Sequence, residues 1–472
     1  MKRFLSCVLV LSLGLSSGLP TFAAAPAIPP SAPYIDHTAR NRLCSSHSGA
    51  FYNSGALTNG TTQLSGTERI GFKVNTTVTG LQFLFSNGPS GFPGTNGIVG
   101  NPIKIFAGLE TGGNVYYPIQ FGPWSLDATF ASGVSATIAD NGMVLSKPVP
   151  SYVGMGPFVP GTTYYYRAYK AVSAGQKWFN NHSQGDFHYV SDASTDFVYG
   201  GTTNTGADVT WPRTATQGTA LGSGATYYGA VAIIGEQVIP APVVLITGTS
   251  IAAGASSTPG QGWAGLALDN VGVAYTDAGI GGATILGSLT EISNFNGLLS
   301  RYADYMIVAN PATNDLSNGN SLATEQTNLQ YFISNMGTAN LHIWLTTELP
   351  RTTGSWTTYG GQTPFTAEAV RVSWNNWIRD KTATGAVAIL NAQSQGKYIV
   401  LGYIDDALQI ERNSDGSAVV LDGNGQQTGG GYWFINGGVA LTSDGIHPNT
   451  TAIGLISPVV SPIVTSAMFP LY

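Results

Sequence analysis

Apolar residues in this chain keep two different rhythms, and the change between them falls at Val238-Ile239-Pro240-Ala241-Pro242. Before it they stand at even spacings: Ile70, Phe72, Val74 and Val78, then Leu81, Phe83 and Phe85, and later Tyr164, Tyr166 and Ala168. A period of two puts such residues on one face of a strand. Gly and Pro clusters such as Asn87-Gly88-Pro89 and Phe92-Pro93-Gly94 punctuate the runs. No convincing amphipathic helix precedes residue 240. This half is therefore read as an antiparallel β-sandwich over residues 67–236. Ahead of it, residues 25–66 are rich in Pro, Ser, Gly and Thr and read as an extended or irregular arm.

Beyond the two prolines, strands alternate with helices. Val243-Val244-Leu245-Ile246-Thr247, Tyr305-Met306-Ile307-Val308-Ala309, Leu341-His342-Ile343-Trp344-Leu345 and Tyr398-Ile399-Val400-Leu401 are nearly continuous apolar runs, suited to strands buried on both faces. Between them the spacing predicts a helix over residues 321–336, with Leu322, Leu329, Phe332, Ile333 and Met336 on one face. A second helix is expected to start at Pro364 and to carry Phe365, Ala369, Val370, Trp374, Trp377 and Ile378. This alternation over residues 237–472 implies an α/β domain, a parallel sheet covered by helices. Reactive groups in such a sheet collect at the carboxyl ends of the strands, where Ser250 and Asn314 both lie. At 472 residues, 43% of them hydrophobic, the chain is long enough for two buried cores.

Only 9% of the residues are charged, the net charge is −6 and there is no basic cluster, which argues against a nucleic-acid partner. At the N-terminus Lys2 and Arg3 precede an apolar stretch from Phe4 to Leu19, and Pro20-Thr21-Phe22-Ala23-Ala24-Ala25 supplies small residues for cleavage. Residues 1–24 are read as a removable signal peptide, which makes the expected location secreted or periplasmic. No other apolar run is long enough to span a bilayer, so no membrane anchor is expected. Cys7 leaves with the peptide, Cys44 remains alone, and no intramolecular disulfide is expected.

The chemistry-bearing residues lie far apart in the chain. Ser250 ends the first apolar run in Gly248-Thr249-Ser250-Ile251, and Asp444-Gly445-Ile446-His447-Pro448-Asn449 comes near the end. A serine hydroxyl is a poor nucleophile near neutral pH unless a base lies within hydrogen-bond reach and a carboxylate holds that base in the right tautomer. An aspartate three residues before a histidine can sit over the same turn and reach Nδ1, which frees Nε2 to face the serine.

These blocks resemble the SGNH, or GDSL, hydrolases. The family's nucleophile block, Gly-Asp-Ser followed by Leu or Ile, corresponds to Gly248-Thr249-Ser250-Ile251. Its second block, a loop with a glycine amide in the oxyanion hole, is similar to Ala278-Gly279-Ile280-Gly281-Gly282-Ala283-Thr284, and its Gly-x-Asn-Asp block is similar to Ala312-Thr313-Asn314-Asp315. The resemblance implies a flavodoxin-like three-layer hydrolase domain over residues 241–470, with Ser250, His447 and Asp444 as catalytic triad. The Ser250 and Gly282 amides and the Asn314 side chain would form the oxyanion hole; Gly281 is the alternative donor, and Asp315 is expected only to hold its loop. Thr249 and Ala312 depart from the family pattern, in which an aspartate and a glycine stand.

On this resemblance the chain is expected to hydrolyse an ester without cofactor or metal, with an acylated carbohydrate as the favoured partner. A lipid or aryl esterase, a sugar O-acyltransferase and a non-catalytic extracellular glycan-binding or matrix protein remain alternatives. Trp356, Tyr359, Tyr432 and Trp433 are the candidate substrate contacts, as rings that either stack on a sugar face or pack under long loops. Asn413-Ser414-Asp415-Gly416 lacks the ligands of a calcium loop, and Asp415-Gly416 and Asp422-Gly423 are read as turns at the two ends of a strand, Ser417-Ala418-Val419-Val420-Leu421. His342, inside an apolar run, is expected in the core.

Overall fold

The computed structural model describes residues 41–45, 57–59, 65–87, 101–111, 115–121, 135–139, 143–150, 157–179, 197–201, 219–220, 230–257, 261–286, 299–336 and 341–468. The expected signal peptide, Cys7 and most of the expected arm lie outside these residues.

The even-spaced residues of the first half form two antiparallel sheets. In one, Asn41–Leu43, Ala230–Gln237, Val78–Ser86 and Met143–Leu145 are successive neighbours, and Val149–Pro150 also pairs with Val78–Ser86. In the other the order is Thr219–Ala220, Phe197–Gly201, Ser65–Phe72, Tyr164–Ala171, Ile103–Thr111 and Val115–Pro118, with Ser135–Ile138 joined to Ile103–Thr111. The two sheets share one buried cluster. Phe72, Tyr166, Ile105 and Leu109 meet Phe83, Phe85 and Ile233 there. Phe83 sits 5.8 Å edge-on to Phe72 and 5.8 Å from Tyr166, aromatic geometry that adds to simple area burial.

The arm is not wholly irregular: Asn41–Leu43 pairs with Ala230–Gln237, and Leu57–Asn59 pairs with Lys177–Phe179. The first of these strands matters for the rest of the molecule, because its sheet is buried on its second face too. Leu43, Leu84, Ala232 and Ile234 belong to the same cluster as Val243, Leu245, Ala303 and Met306 of the second half. Arg42 adds an ion pair to Asp304 at 3.0 Å, both side chains largely buried. Fully buried Leu and Ile side chains contribute roughly 1.5–3 kcal/mol each relative to exposure, so this seam is a substantial part of the fold.

The second half is built on five parallel strands: β1 (Val243–Gly248), β2 (Ala274–Asp277), β3 (Tyr305–Ala309), β4 (Leu341–Thr346) and β5 (Tyr398–Ile404). Their order is β2-β1-β3-β4-β5, the doubly wound order of flavodoxin-like sheets. Each apolar run splits by alternation between two layers. Leu245, Met306, Val308, Ile343 and Leu345 face α3 (Leu322–Met336), α4 (Glu368–Arg379) and α5 (Ala386–Gln393), which contribute Phe332, Trp374 and Leu390. Val244, Ile246, Ile307 and Trp344 face α1 (Trp263–Asp269) and α7 (Thr450–Met468), which contribute Trp263, Ile456 and Val460. Two short helices, α2 (Thr313–Ser317) and α6 (Ala407–Ile410), follow β3 and β5.

One expected helix start is corrected. Pro364 ends a short strand, Gln362–Pro364, paired with Thr352–Gly354, and the helix begins four residues later at Glu368. The backbone of this stretch is committed to the hairpin, where Phe365 N–H donates to the Arg351 carbonyl at 3.0 Å. Residues 417–421 likewise form no strand; within them Ala418 and Leu421 make only isolated bridges, to Arg412 and Gln427, while both expected Asp-Gly turns are present. His342 is buried as expected, stacked on Tyr305 at 5.4 Å.

A chain starting at Gln237 uncovers the face that Leu43, Leu84, Ala232 and Ile234 bury. It is expected to unfold at a lower urea midpoint than the full chain, and equal midpoints would show that the two halves are energetically independent.

Candidate active site

Ser250 stands two residues past the end of β1, on a turn that the sequence forces to be tight. Gly248 approaches the neighbouring strand so closely that a Cβ there would lie 2.0 Å from the Ala309 carbonyl oxygen. The turn closes through Ala253 N–H to Thr249 O at 3.2 Å and Ala255 N–H to Ser250 O at 2.9 Å. Thr249, where the family pattern has an aspartate, donates its hydroxyl to the Asn310 carbonyl at 3.2 Å. It therefore ties the Ser250 turn to the end of β3 without a charge.

His447 Nε2 lies 2.7 Å from Ser250 Oγ, and its Nδ1 lies 2.6 Å from Asp444 Oδ2. The other carboxylate oxygen of Asp444 accepts the N–H groups of Ile446 and His447, both at 2.8 Å. Partial burial opposes the charge on Asp444, but the hydrogen bonds from the His447 ring and from these two amides outweigh it and hold the carboxyl below the usual carboxylate range. The loop owes its shape to Gly445, at φ +77°, where a Cβ would lie 1.9 Å from the Thr352 carbonyl oxygen. Thr352 N–H and Trp433 Nε1–H both donate to the Gly445 carbonyl, at 2.9 and 3.2 Å. Asn449 closes the motif by accepting Ala452 N–H at 3.1 Å at the start of α7.

The expected oxyanion donors come from three neighbouring strand ends. The loop after β2 is held against the Ser250 turn by Ile280 N–H to Gly248 O at 3.0 Å. Gly282 in that loop has φ +73° and is part-exposed, whereas Gly281 is buried, which favours Gly282 over Gly281 as donor. Among the described residues the Ser250 and Gly282 N–H groups donate to no protein acceptor. Asn314, in the first turn of α2, uses one amide proton on the Ala283 carbonyl at 2.9 Å, which leaves the other free of protein partners. Asp315 accepts Ile285 N–H at 2.9 Å and so joins α2 to the Gly282 loop, the holding role expected for it.

The four aromatic candidates divide. Trp433 is corrected: it is fully buried in the core, with its indole N–H on Gly445 and its backbone paired to Gln362, so it supports the histidine loop and does not reach solvent. Trp356 is part-exposed; it donates to Thr352 Oγ1 at 3.0 Å and lies against Gly445, between Asp444 and His447 in the chain. Tyr359 is part-exposed but its ring packs on Gly416 and its hydroxyl accepts Ile435 N–H. Tyr432 is part-exposed on the short strand paired with Glu411–Arg412.

Three buried polar residues beneath the site were not singled out in the sequence. Asn310, at φ +46°, donates its side-chain amide to Thr347 O at 2.6 Å and to Asp406 Oδ2 at 2.8 Å, and accepts Trp263 Nε1–H at 3.1 Å. Asp406 follows β5 and Glu348 follows β4. Burial pushes the Asp406 carboxyl up to about 7 and that of Glu348 up to about 8, against the hydrogen bonds that favour ionisation. For Glu348 and Asp406 the available signal was an acidic residue within three positions of the end of an apolar run, in a chain where only 9% of residues carry charge. Among the described residues no group of three or more His, Cys, Asp or Glu could hold a metal ion, and no helix is long and apolar enough to cross a membrane.

No protein-family profile matches the chain, and no curated protein does. Among solved structures, a family two carbohydrate esterase from Cellvibrio japonicus is similar at 12% identity and a TM-score of 0.31, covering 91% of this chain and 96% of its own. A family two carbohydrate esterase from Clostridium thermocellum in complex with cellohexaose is similar at 11% identity and a TM-score of 0.32, covering 86% and 94%. A GDSL-like lipase from Bacteroides thetaiotaomicron is similar at 16% identity and a TM-score of 0.29, covering 48% and 88%. Likenesses this weak assign no function.

The buried acids have a consequence for stability. Glu348 and Asp406 hold their protons up to about 8 and about 7, whereas an unfolded chain releases them near 4.5 and 3.8. Between those limits the folded state binds more protons, so stability falls as pH rises from about 4 to 8. Asp444 acts in the opposite sense and loses its contribution as pH drops through and below the ordinary carboxylate range. Urea midpoints are expected to be higher at pH 5 than at pH 8, and to flatten over this range in Glu348→Gln and Asp406→Asn. A midpoint that rises from pH 5 to pH 8 would show that these carboxyls are ionised in the fold.

Proposed function

We propose that the chain is a secreted serine esterase of the SGNH type that removes acyl groups, foremost acetyl, from a carbohydrate. The observation that carries this reading is the unbroken line from Asp444 through His447 to Ser250, at 2.6 and 2.7 Å; among the described residues the Ser250 and Gly282 amides and one Asn314 amide proton have no protein partner. Ser250 Oγ attacks the ester carbonyl carbon while His447 Nε2 takes its proton. The carbonyl oxygen becomes an oxyanion that the Ser250 and Gly282 amides and the Asn314 side chain stabilise, the contribution that is usually largest in acyl transfer. Collapse of the intermediate breaks the bond to the alcohol, which leaves with the proton held by His447. Water then attacks the acyl-enzyme by the same route, and the acid is released.

The carbohydrate part of the reading is supported by the low charge of the chain and by Trp356, a flat ring at the edge of the triad with small polar neighbours. The alternative of a hydrolase domain without activity is disfavoured, because both departures from the family pattern are accommodated. Thr249 still anchors the nucleophile turn, and the Ala312 N–H is bonded at 2.7 Å.

With p-nitrophenyl acetate and an acetylated polysaccharide as substrates, Ser250→Ala and His447→Ala are each expected to lower turnover by about 10³-fold or more, with Asp444→Asn leaving partial activity. Trp356→Ala is expected to weaken use of the polysaccharide more than use of the small ester. Parent-like turnover in Ser250→Ala would remove the nucleophile assignment, and equal loss on both substrates in Trp356→Ala would remove the sugar contact.

A further inference from the structure

Directly after β4 the chain places a carboxyl group where none of the reacting steps uses it. Glu348 is 1% exposed. Its Oε1 accepts the Ala312 N–H at 2.7 Å, and its Oε2 is in short contact with the Thr313 hydroxyl. These are the two residues immediately before Asn314. The backbone of Glu348 is held in turn: its N–H donates to Asn375 Oδ1 at 2.7 Å, and its carbonyl accepts Arg371 Nη1 at 2.7 Å and Asn375 Nδ2 at 3.0 Å. Both partners stand on α4, so the carboxyl has a rigid mount.

We propose that Glu348 is a positioning residue for the oxyanion hole, a clasp on Ala312 and Thr313 that fixes where Asn314 presents its free amide proton. The inference rests on the esterase reading above and deepens it. Ala312 shows why a clasp is needed: its side chain is buried in the main core cluster, while its N–H ends a strand–loop junction that no other backbone group satisfies. A buried amide without a partner is costly, and Glu348 is the group that meets it. Burial keeps this carboxyl protonated at neutral pH, so it holds both neighbours without placing a charge under the site. A neutral glutamine has the same shape: its oxygen accepts from Ala312, and the Thr313 hydroxyl, which donates to Oε2 in the parent, can turn to accept from its NH₂.

The test uses the full chain, with p-nitrophenyl acetate as probe and hydrogen exchange at the Ala312 amide as a second measurement. Glu348→Gln is expected to keep kcat within about threefold of the parent, and Glu348→Ala to lower it by about 10- to 100-fold with KM within about twofold, because the lost alignment matters mainly in the transition state. Exchange protection at Ala312 is expected to survive in the glutamine variant and to disappear in the alanine variant. Thr313→Val, which removes one arm only, is expected to fall between them. A folded Glu348→Ala with parent kcat and parent protection would overturn the clasp; so would a rise in KM at constant kcat, or a glutamine variant as impaired as the alanine one. If Glu348→Ala does not fold, Thr313→Val with unchanged kcat and unchanged protection overturns it. A parent protein that hydrolyses no ester sinks the esterase reading, and exchange at Ala312 then decides the clasp by itself.

Discussion

The hydrogen bond between Ser250 and His447 joins residues 197 positions apart, and the scaffold around it exists to keep that distance at 2.7 Å. Neither partner lies within a regular element. Ser250 hangs from a turn pinned to the end of β3, and His447 from a loop pinned to Thr352 and Trp433. Each anchor works by close backbone approach, so the glycines at 248 and 445 are sites where a Cβ has no room. Proximity of this kind contributes to rate only when the geometry is already in place before substrate arrives. The contacts that supply it lie mostly below the reacting atoms.

Those contacts are polar and buried, an arrangement that is stabilising only when every member is satisfied. Arg371 joins α4 to the excursion over residues 411–433 by pairing with Glu411, and also pairs with Glu368 of its own helix, while Arg379 pairs with Asp405. Gln427 bridges Arg379 and Glu411. Glu411 also accepts the Gly431 N–H, and a Cβ at Gly430 would lie 2.2 Å from its Oε1, which accounts for the run of glycines there. Losing one partner of such a pair strands the other charge and typically costs about 3–5 kcal/mol. The excursion is therefore anchored, and it carries Trp433 to its place under Gly445.

Much of this was legible in the sequence, for definite reasons. The runs at 243–247, 305–309, 341–345 and 398–401 are apolar because both faces of the central sheet are covered, and a strand buried twice has no periodicity to confuse. Ser250 and Asn314 could be read because they closely follow the ends of the first two runs, and Asp444 and His447 because of their three-residue spacing. What escaped notice had local preference against it. β2 is a four-residue edge strand ending in Asp277. Helix α7 contains Pro458 and Pro462 among β-branched residues, a composition that argues against a helix. Both prolines and Gly454 face solvent, while Ser457 and Ser461 donate to the Trp263 and Ala267 carbonyls of α1. Tertiary packing decides that helix. The aromatic residues failed for a different reason: Tyr432-Trp433 looks the same in sequence whether a ring faces a ligand or a core.

The sheet formed by Asn41–Leu43, Ala230–Gln237, Val78–Ser86 and Met143–Leu145 serves two cores at once, with Ile233 turned into one and Ile234 into the other. Its two coverings emerge at different times during synthesis. The first sheet pair can close once residue 237 has appeared, but the opposite face stays bare until the strands at 243–248 and 305–309 exist. The growing chain thus passes through a stage with an apolar surface and no cover, and the order in which it is made obliges the second half to assemble on a platform laid down before it.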